Sequence, residues 1–264
     1  MAALTAAAES CEYTANRSAE LPLSGITRVV IEAYAGALTI TGDPGETHLR
    51  VEGKACASTQ DMLDDVKLRT RTSGDTAYVA AEIPSPLWRF LDWTGGMPSL
   101  DLVIRMPRGT AIEVTDSSGP LEISGSGRTE IDDGSGSILV TDTTGDLTLT
   151  DGSGSIELQG IGGDVSIEAD GSGGMKIERV AGGVTIGADG SGGIAISHVE
   201  RDVIVHRDGS GSILISNVRG DVVIHRDGSG SISVSDVGGS FIVEHQGSGG
   251  VSHERIKGTV RIDD

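Results

Sequence analysis

Beyond about residue 110 the apolar and polar positions of this 264-residue chain fall into columns. Aligning the copies of an Asp-Gly-Ser-Gly motif places Ile138, Ile156, Met175, Ile194, Ile213, Ile232 and Val251 in one apolar column. Two residues on, Val140, Leu158, Ile177, Ile196, Ile215 and Val234 make another. The position between them varies freely: Leu139, Glu157, Lys176, Ala195, Leu214, Ser233, Ser252. Strict alternation marks a strand with one face inward. The inward residues are mostly β-branched, which fits strand and disfavours helix. The second half of each copy repeats the pattern, with Leu147, Val165, Val184, Val203, Val222, Phe241 and Val260, then Leu149, Ile167, Ile186, Val205, Ile224, Val243 and Ile262. A lone apolar column, Ile161, Val180, Val199, Val218, Val237 and Ile256, lies between the two strands.

The motif begins at Asp133, Asp151, Asp170, Asp189, Asp208 and Asp227, with a variant at Gln246 and a degenerate copy at Asp116. The spacings from Asp133 are 18 and then 19 five times. Each copy therefore predicts one coil: strand, short side, turn, strand, Gly-Ser-Gly turn. A single coil buries too few aliphatic side chains to offset the ordering of its own backbone. Stacked coils solve this, each strand bonding to the next about 4.8 Å away. The predicted fold is all-β: a single-stranded parallel β-helix, or solenoid, of about 19 residues per coil.

Residues 110–264 are the regular repeats, continuous with a β-rich but irregular half over 11–109. There Ala37–Thr41, Leu49–Glu52, Leu68–Thr72, Thr76–Ile83 and Leu100–Met106 read as strands and Gln60–Val66 as a short helix. This half is expected to supply early, looser coils and a cap, because an uncovered first coil would recruit other chains. Residues 1–10 are small and Ala-rich, which fits the remnant of an export signal or a disordered tail.

Composition sharpens this picture. Glycine is abundant, at 40 residues, while aromatics are 3% of the chain, so the core must be narrow and aliphatic. A formal net charge of −19 repels nucleic acid and anionic lipid, and suits solubility, a cationic partner or divalent cations. No apolar stretch is long enough to span a bilayer, so an integral membrane protein is not expected. The two cysteines, Cys11 and Cys56, are too few and too distant for a zinc motif; on sequence alone they are a disulfide, a free pair or chance.

Four features could carry chemistry. The aspartates of the motif form one column, and Asp170, Asp189, Asp208 and Asp227 are its candidate metal ligands. Calcium-binding rolls, however, place Asp inside a Gly-Gly-x-Gly-x-Asp nonapeptide where this repeat has a core Ile, so each Asp is expected to cap its own turn instead. His206, His225 and Glu244 share an outward column, but collinear ligands at strand spacing make a poor metal site, and plain exposed residues are expected. The repeated Ser of the turn has no paired base and is no nucleophile. Trp88, Phe90 and Trp93 concentrate the aromatic content in the Pro84–Pro98 segment, either as a ligand-binding loop or as a plug for the solenoid. No catalytic residues and no cofactor are expected.

The Gly-Ser-Gly-Ser-Ile repeats, joined to a β-rich half with Cys11 and a second cysteine in Lys54-Ala55-Cys56-Ala57-Ser58, resemble the bacterial "putative adhesin" family of β-strand-repeat proteins, a domain of unknown function. The resemblance implies a right-handed β-helix in an exported envelope protein and supplies no catalytic or ligand residues. In a periplasmic or extracellular setting Cys11 and Cys56 are expected to form a disulfide tying the N-terminal segment to the cap. The expected function is a non-enzymatic structural or adhesin-like binding module, with a glycan or an envelope or surface protein as partner. The alternative is a carbohydrate-active enzyme, a polysaccharide lyase or hydrolase, on the same scaffold; it would need a unique acidic–basic cluster on one face.

Overall fold

A computed structural model of the protein describes residues 11–83 and 97–263. Among them are 26 strands and one short helix, and the main body is two twelve-stranded sheets. From residue 111 onward each coil gives one strand to each sheet, and every pairing is parallel. The register is that of the sequence columns: Ile156, Met175, Ile194, Ile213, Ile232 and Val251 stack on one another in the first sheet. Val184, Val203, Val222, Phe241 and Val260 do so in the second. The solenoid and its coil of about 19 residues are as expected.

Each coil hands its backbone groups to the next. Ile194 N donates to Ser212 O and Val203 N to Asp221 O, both at 2.9 Å. Both inward columns of each strand are buried, as is the short-side column from Ile161 to Val237. In two earlier coils that column holds Ser126 and Thr143 instead, also buried, and the Ser126 hydroxyl bonds Thr129 Oγ1 at 2.8 Å.

Two turn positions are set by stacking. The second glycine of each Gly-Ser-Gly turn has φ near +140°; Gly192 is at +142°, and a Cβ there would lie 1.5 Å from the carbonyl oxygen of Gly173, one coil back. Only glycine fits both conditions. Just before the short side the backbone turns left-handed again, this time at Asp142, Arg179, His198, Asn217, Asp236 and Arg255, with φ of 53–58°. A side chain there costs on the order of 1 kcal/mol, and each of these coils accepts it.

The N-terminal half is a cap and two coils whose spatial order differs from their chain order. Arg28–Glu32 with Leu38–Asp43 forms one coil, sandwiched between the 111–124 coil and a coil made by Thr76–Glu82 and Ser99–Pro107. The chain thus lays down a coil, leaves to build the coil beneath it, and returns. Outside that lower coil the pairing turns antiparallel. His48–Ala57 covers Ser99–Pro107, Tyr13–Pro22 covers His48–Ala57, and Lys67–Ser73 covers Thr76–Glu82. Antiparallel strands close the stack because they do not present the slanted parallel ladder another coil would need.

The helix Gln60–Asp65 begins at Thr59, whose Oγ1 accepts from Met62 N at 3.2 Å. Arg17 of the outermost strand donates to Leu63 O and Val66 O at 3.0 and 3.1 Å, satisfying the carbonyls at the helix end.

These two turn positions respond oppositely to substitution. Gly192→Ala is expected to cost about 3 kcal/mol or more, since both φ and the overlying carbonyl reject a Cβ. His198→Gly is expected to gain up to about 1 kcal/mol by relieving the left-handed strain. Guanidinium unfolding of the two variants beside the parent protein tests both signs.

Candidate functional site

The aspartate column sits at the ends of the second-sheet strands, at the same inward parity as the aliphatic columns. Asp116, Asp133, Asp151, Asp170, Asp189, Asp208 and Asp227 are all buried, none more than 3% exposed. Turn capping was the expected role, and it holds at two positions: Asp116 Oδ1 accepts from Ser117 N at 2.8 Å and Asp151 Oδ1 from Ser153 N at 3.2 Å. At Asp133, Asp170, Asp189, Asp208 and Asp227 neither carboxyl oxygen has a hydrogen-bond partner. Strand parity points every member of the column into the solenoid, and only Asp116 and Asp151 still reach a turn N–H.

Burial pushes these carboxyls above the usual Asp range: Asp116 to about 7, and Asp133, Asp208 and Asp227 to about 6. Asp151, Asp170 and Asp189 are raised for the same reason. Neighbouring carboxylates add to the shift along most of the column, and the N–H dipoles of the adjacent turn, such as those of Gly171 and Ser172, pull back part of it without a formed hydrogen bond. Among the described residues no three His, Cys, Asp or Glu side chains converge as a metal site would require.

A second acidic column does cap turns, but those of the following coil. Asp146 Oδ1 accepts from Asp164 N at 2.9 Å, Asp164 Oδ1 from Gly183 N at 2.8 Å, and Asp202 Oδ1 from Asp221 N at 2.7 Å. Asp221 Oδ1 continues the series by accepting from Ser240 N at 2.6 Å. These carboxylates are exposed and add inter-coil bonds to the backbone ladder.

The outward face carries one irregularity. Coil length grows from 17 residues between Asp116 and Asp133, to 18 by Asp151, to 19 by Asp170. The last increment is a β-bulge: Leu149 pairs with Ile167 but Thr150 with Ala169, leaving Glu168 as the extra residue. A bulge re-aims side chains. Here it helps form a shallow open groove lined by Glu113, Glu130, Asp132, Thr148, Thr150 and Glu168. Arg28 pairs with Glu113 at 3.2 Å and Arg128 with Glu130 at 2.9 Å, which leaves Asp132 and Glu168 as carboxylates presented to solvent. Carboxylates beside threonine hydroxyls suit hydrogen bonding to a polyhydroxylated or cationic ligand.

The bulge position continues up the solenoid as Gly187, His206, His225 and Glu244. The imidazoles of His206 and His225 stack with centroids 5.0 Å apart. His225 Nδ1 lies 2.8 Å from Glu244 Oε2, a contact that lowers the Glu244 carboxyl below its ordinary range. This expected outward column is a stacked ladder.

Cys11 and Cys56 are disulfide-bonded. The bond ties the start of Tyr13–Pro22 to His48–Ala57, the strand it covers, so it staples the outermost layer of the cap. Trp88, Phe90 and Trp93 lie outside the described residues. The groove is what sequence reasoning missed. Its signal was the shortened spacing before Asp151, together with Thr148 and Thr150, which occur together as a Thr-x-Thr pair in no other coil of the repeat.

No family model and no curated protein matches the chain. Solved structures similar to it include a "putative cell adhesion protein" from Clostridium sporogenes, at 11% identity over 95% of this chain and 99% of that one, with a TM-score of 0.30. A "putative adhesin" from Bacteroides fragilis is 12% identical over 95% and 97%, with a TM-score of 0.35. A "putative lipid binding protein" from Parabacteroides distasonis is 13% identical over 94% and 96%, with a TM-score of 0.41.

Removing the staple is expected to weaken the cap. The 45-residue separation of the cysteines predicts that Cys11→Ser with Cys56→Ser costs about 4 kcal/mol on chain-entropy grounds. Denaturant unfolding with and without the two substitutions checks it.

Proposed function

We propose that this chain is a non-enzymatic, exported β-solenoid of the bacterial envelope or cell exterior, and that it works as an adhesin-like binding module. The observation that carries the reading is how its residues are divided. Positions that repeat from coil to coil are inward or in turns, and serve stacking. Outward positions vary, as in the series Leu139, Glu157, Lys176, Ala195, Leu214, Ser233 and Ser252. Such a chain uses its regular part as a rigid frame and its surface for display.

Two features support the compartment and the mode of binding. The Cys11–Cys56 disulfide fits an oxidising compartment. The groove beside Glu168 presents Asp132, Thr148 and Thr150 on a sheet backbone that cannot easily move, which suits recognition without large rearrangement. The acidic surface disfavours nucleic acid, and among the described residues no helix is long and apolar enough to cross a membrane. The partner proposed is a glycan, with an envelope or surface protein as the second choice.

The enzyme reading is tested on the same residues, because a glycosidase would need paired carboxylates in a groove. The purified disulfide-bonded protein is applied to a glycan array and to immobilised envelope proteins, beside Asp132→Ala with Glu168→Ala. Binding that falls at least about tenfold in the double variant, with unchanged unfolding, supports the module. Release of reducing or unsaturated sugar ends by the parent protein, lost in the variant, would instead make it an enzyme.

A further inference from the structure

We propose that the inward aspartates from Asp116 to Asp227 form a proton-carrying ladder, in which carboxyls of successive coils share hydrogens along the solenoid and the coil stack weakens as rising pH strips them away.

The argument begins with an unfilled need. These side chains are in register at Asp116, Asp133, Asp151, Asp170 and Asp189, and the bridges Asp189–Asp208 and Asp208–Asp227 extend the stack. All are buried, and twelve of their fourteen carboxyl oxygens have no hydrogen-bond partner. A buried ionised carboxylate without a donor or counter-charge costs several kcal/mol, and a column of them would not be sustained. Something must neutralise it.

Basic side chains do not. No ion pair among the described residues reaches the column. Arg207 and Arg226, next to Asp208 and Asp227 in sequence, are exposed on the outer side. Across the interior, the inward positions of the other sheet are Ile156, Met175, Ile194, Ile213 and Ile232, none of which titrates. The charges acting on the column are its own members and the outward Asp132, all of one sign.

A metal ion is a poor substitute. The ligands are collinear, so an ion seated between coils would meet carboxylates from only two of them, and among the described residues no three acidic or imidazole groups converge. Calcium takes six to eight oxygens. A proton needs two. Asp170, Asp189, Asp208 and Asp227 stand on successive in-register strands, about 4.8 Å apart at the backbone, and a neighbouring pair of their carboxyls can bond once one partner keeps its hydrogen.

The direction of the pH effect follows. The folded values stand above the ordinary Asp value of 3.8, so the unfolded chain binds fewer protons and unfolding releases them. The ladder's contribution is complete below about pH 4 and is lost as pH rises through about 6 to 7. Carboxyls outside the core held below their usual range, at Glu46, Asp75, Asp236 and Glu244, act oppositely, in more acid solution.

The test uses the full disulfide-bonded chain. Guanidinium unfolding is followed between pH 5 and pH 7, and the infrared carbonyl stretch of protonated carboxyls is recorded on the folded protein over the same range. The expected result is an unfolding constant that rises at least about a hundredfold across that interval, with a protonated-carboxyl band strong at pH 5 and fading towards pH 7. Asp189→Asn with Asp208→Asn keeps the shape, and is expected to weaken the band and to reduce the rise at least about tenfold. A folded parent protein with no protonated-carboxyl band at pH 5 would overturn the proposal, whatever the variant does. So would a variant with the parent's full pH dependence, or a calcium-dependent, chelator-reversed rise in melting midpoint at pH 7, which would make the column a cation site.

Discussion

Every coil of this protein must lie directly on the coil before it, at the spacing of a hydrogen-bonded strand, and most of the sequence follows from that contact. The tightest point is the Gly-Ser-Gly turn. There the backbone of one coil passes so close to the carbonyl of the last that Gly154, Gly173, Gly192, Gly211 and Gly230 have no room for a Cβ. The same stacking puts like residues on like, so an aliphatic column stays aliphatic from Ile138 to Ile232 and no coil can change its inward residues alone. It also explains the near absence of aromatics. Two sheets joined by short turns enclose a narrow interior, and among the fully buried side chains Phe241 is the largest.

Stacking made the repeat half legible. A period of two inside a period of 19 leaves little freedom: the strands, the two inward columns, the short side and the turn glycines could all be read from identity at fixed spacing. The cap resisted for the opposite reason. Tyr13–Pro22 has a half-exposed alternating pattern with Ala15, Ala19 and Leu21 on its better-covered side, too weak an apolar signal to stand out. The coil of Arg28–Glu32 and Leu38–Asp43 lies between coils that come later in the chain. Sequence adjacency cannot reveal such an order, because the pairing is decided by which edges remain open after folding. Parity, too, was visible at the aspartates, yet a chemical expectation about turns outweighed it. Counting two positions from Ile131 to Asp133, or from Leu149 to Asp151, gives the inward orientation that the structure shows.

The bulge links the two halves of the site. In the 17- and 18-residue coils the second-sheet strand is regular, and Thr150 follows directly on Leu149. Inserting Glu168 lengthens the coil and restores the following Asp170 to its inward column by pushing one side chain outward. From there the same extra position presents Gly187, His206, His225 and Glu244 on the surface. One added residue per coil thus leaves the buried acid column in register and creates an outward ladder at the same height. The groove marks where this arrangement begins, because coils of unequal length cannot be flush.

The inward and outward columns then divide the labour by physics. Inside, a residue is constrained by its copies above and below, so variation is costly and even an acidic group is repeated. Outside, cross-coil contacts such as Lys176 to Glu157 at 3.1 Å, or Arg255 paired through two oxygens with Asp236, involve solvated groups and contribute little to stability. Surface residues can therefore be exchanged one at a time without disturbing the stack. A fold with that property separates the constraints on stacking from those on the surface, and it lets the acidic exterior change locally wherever a coil departs from its neighbours, as the coils around Glu168 do.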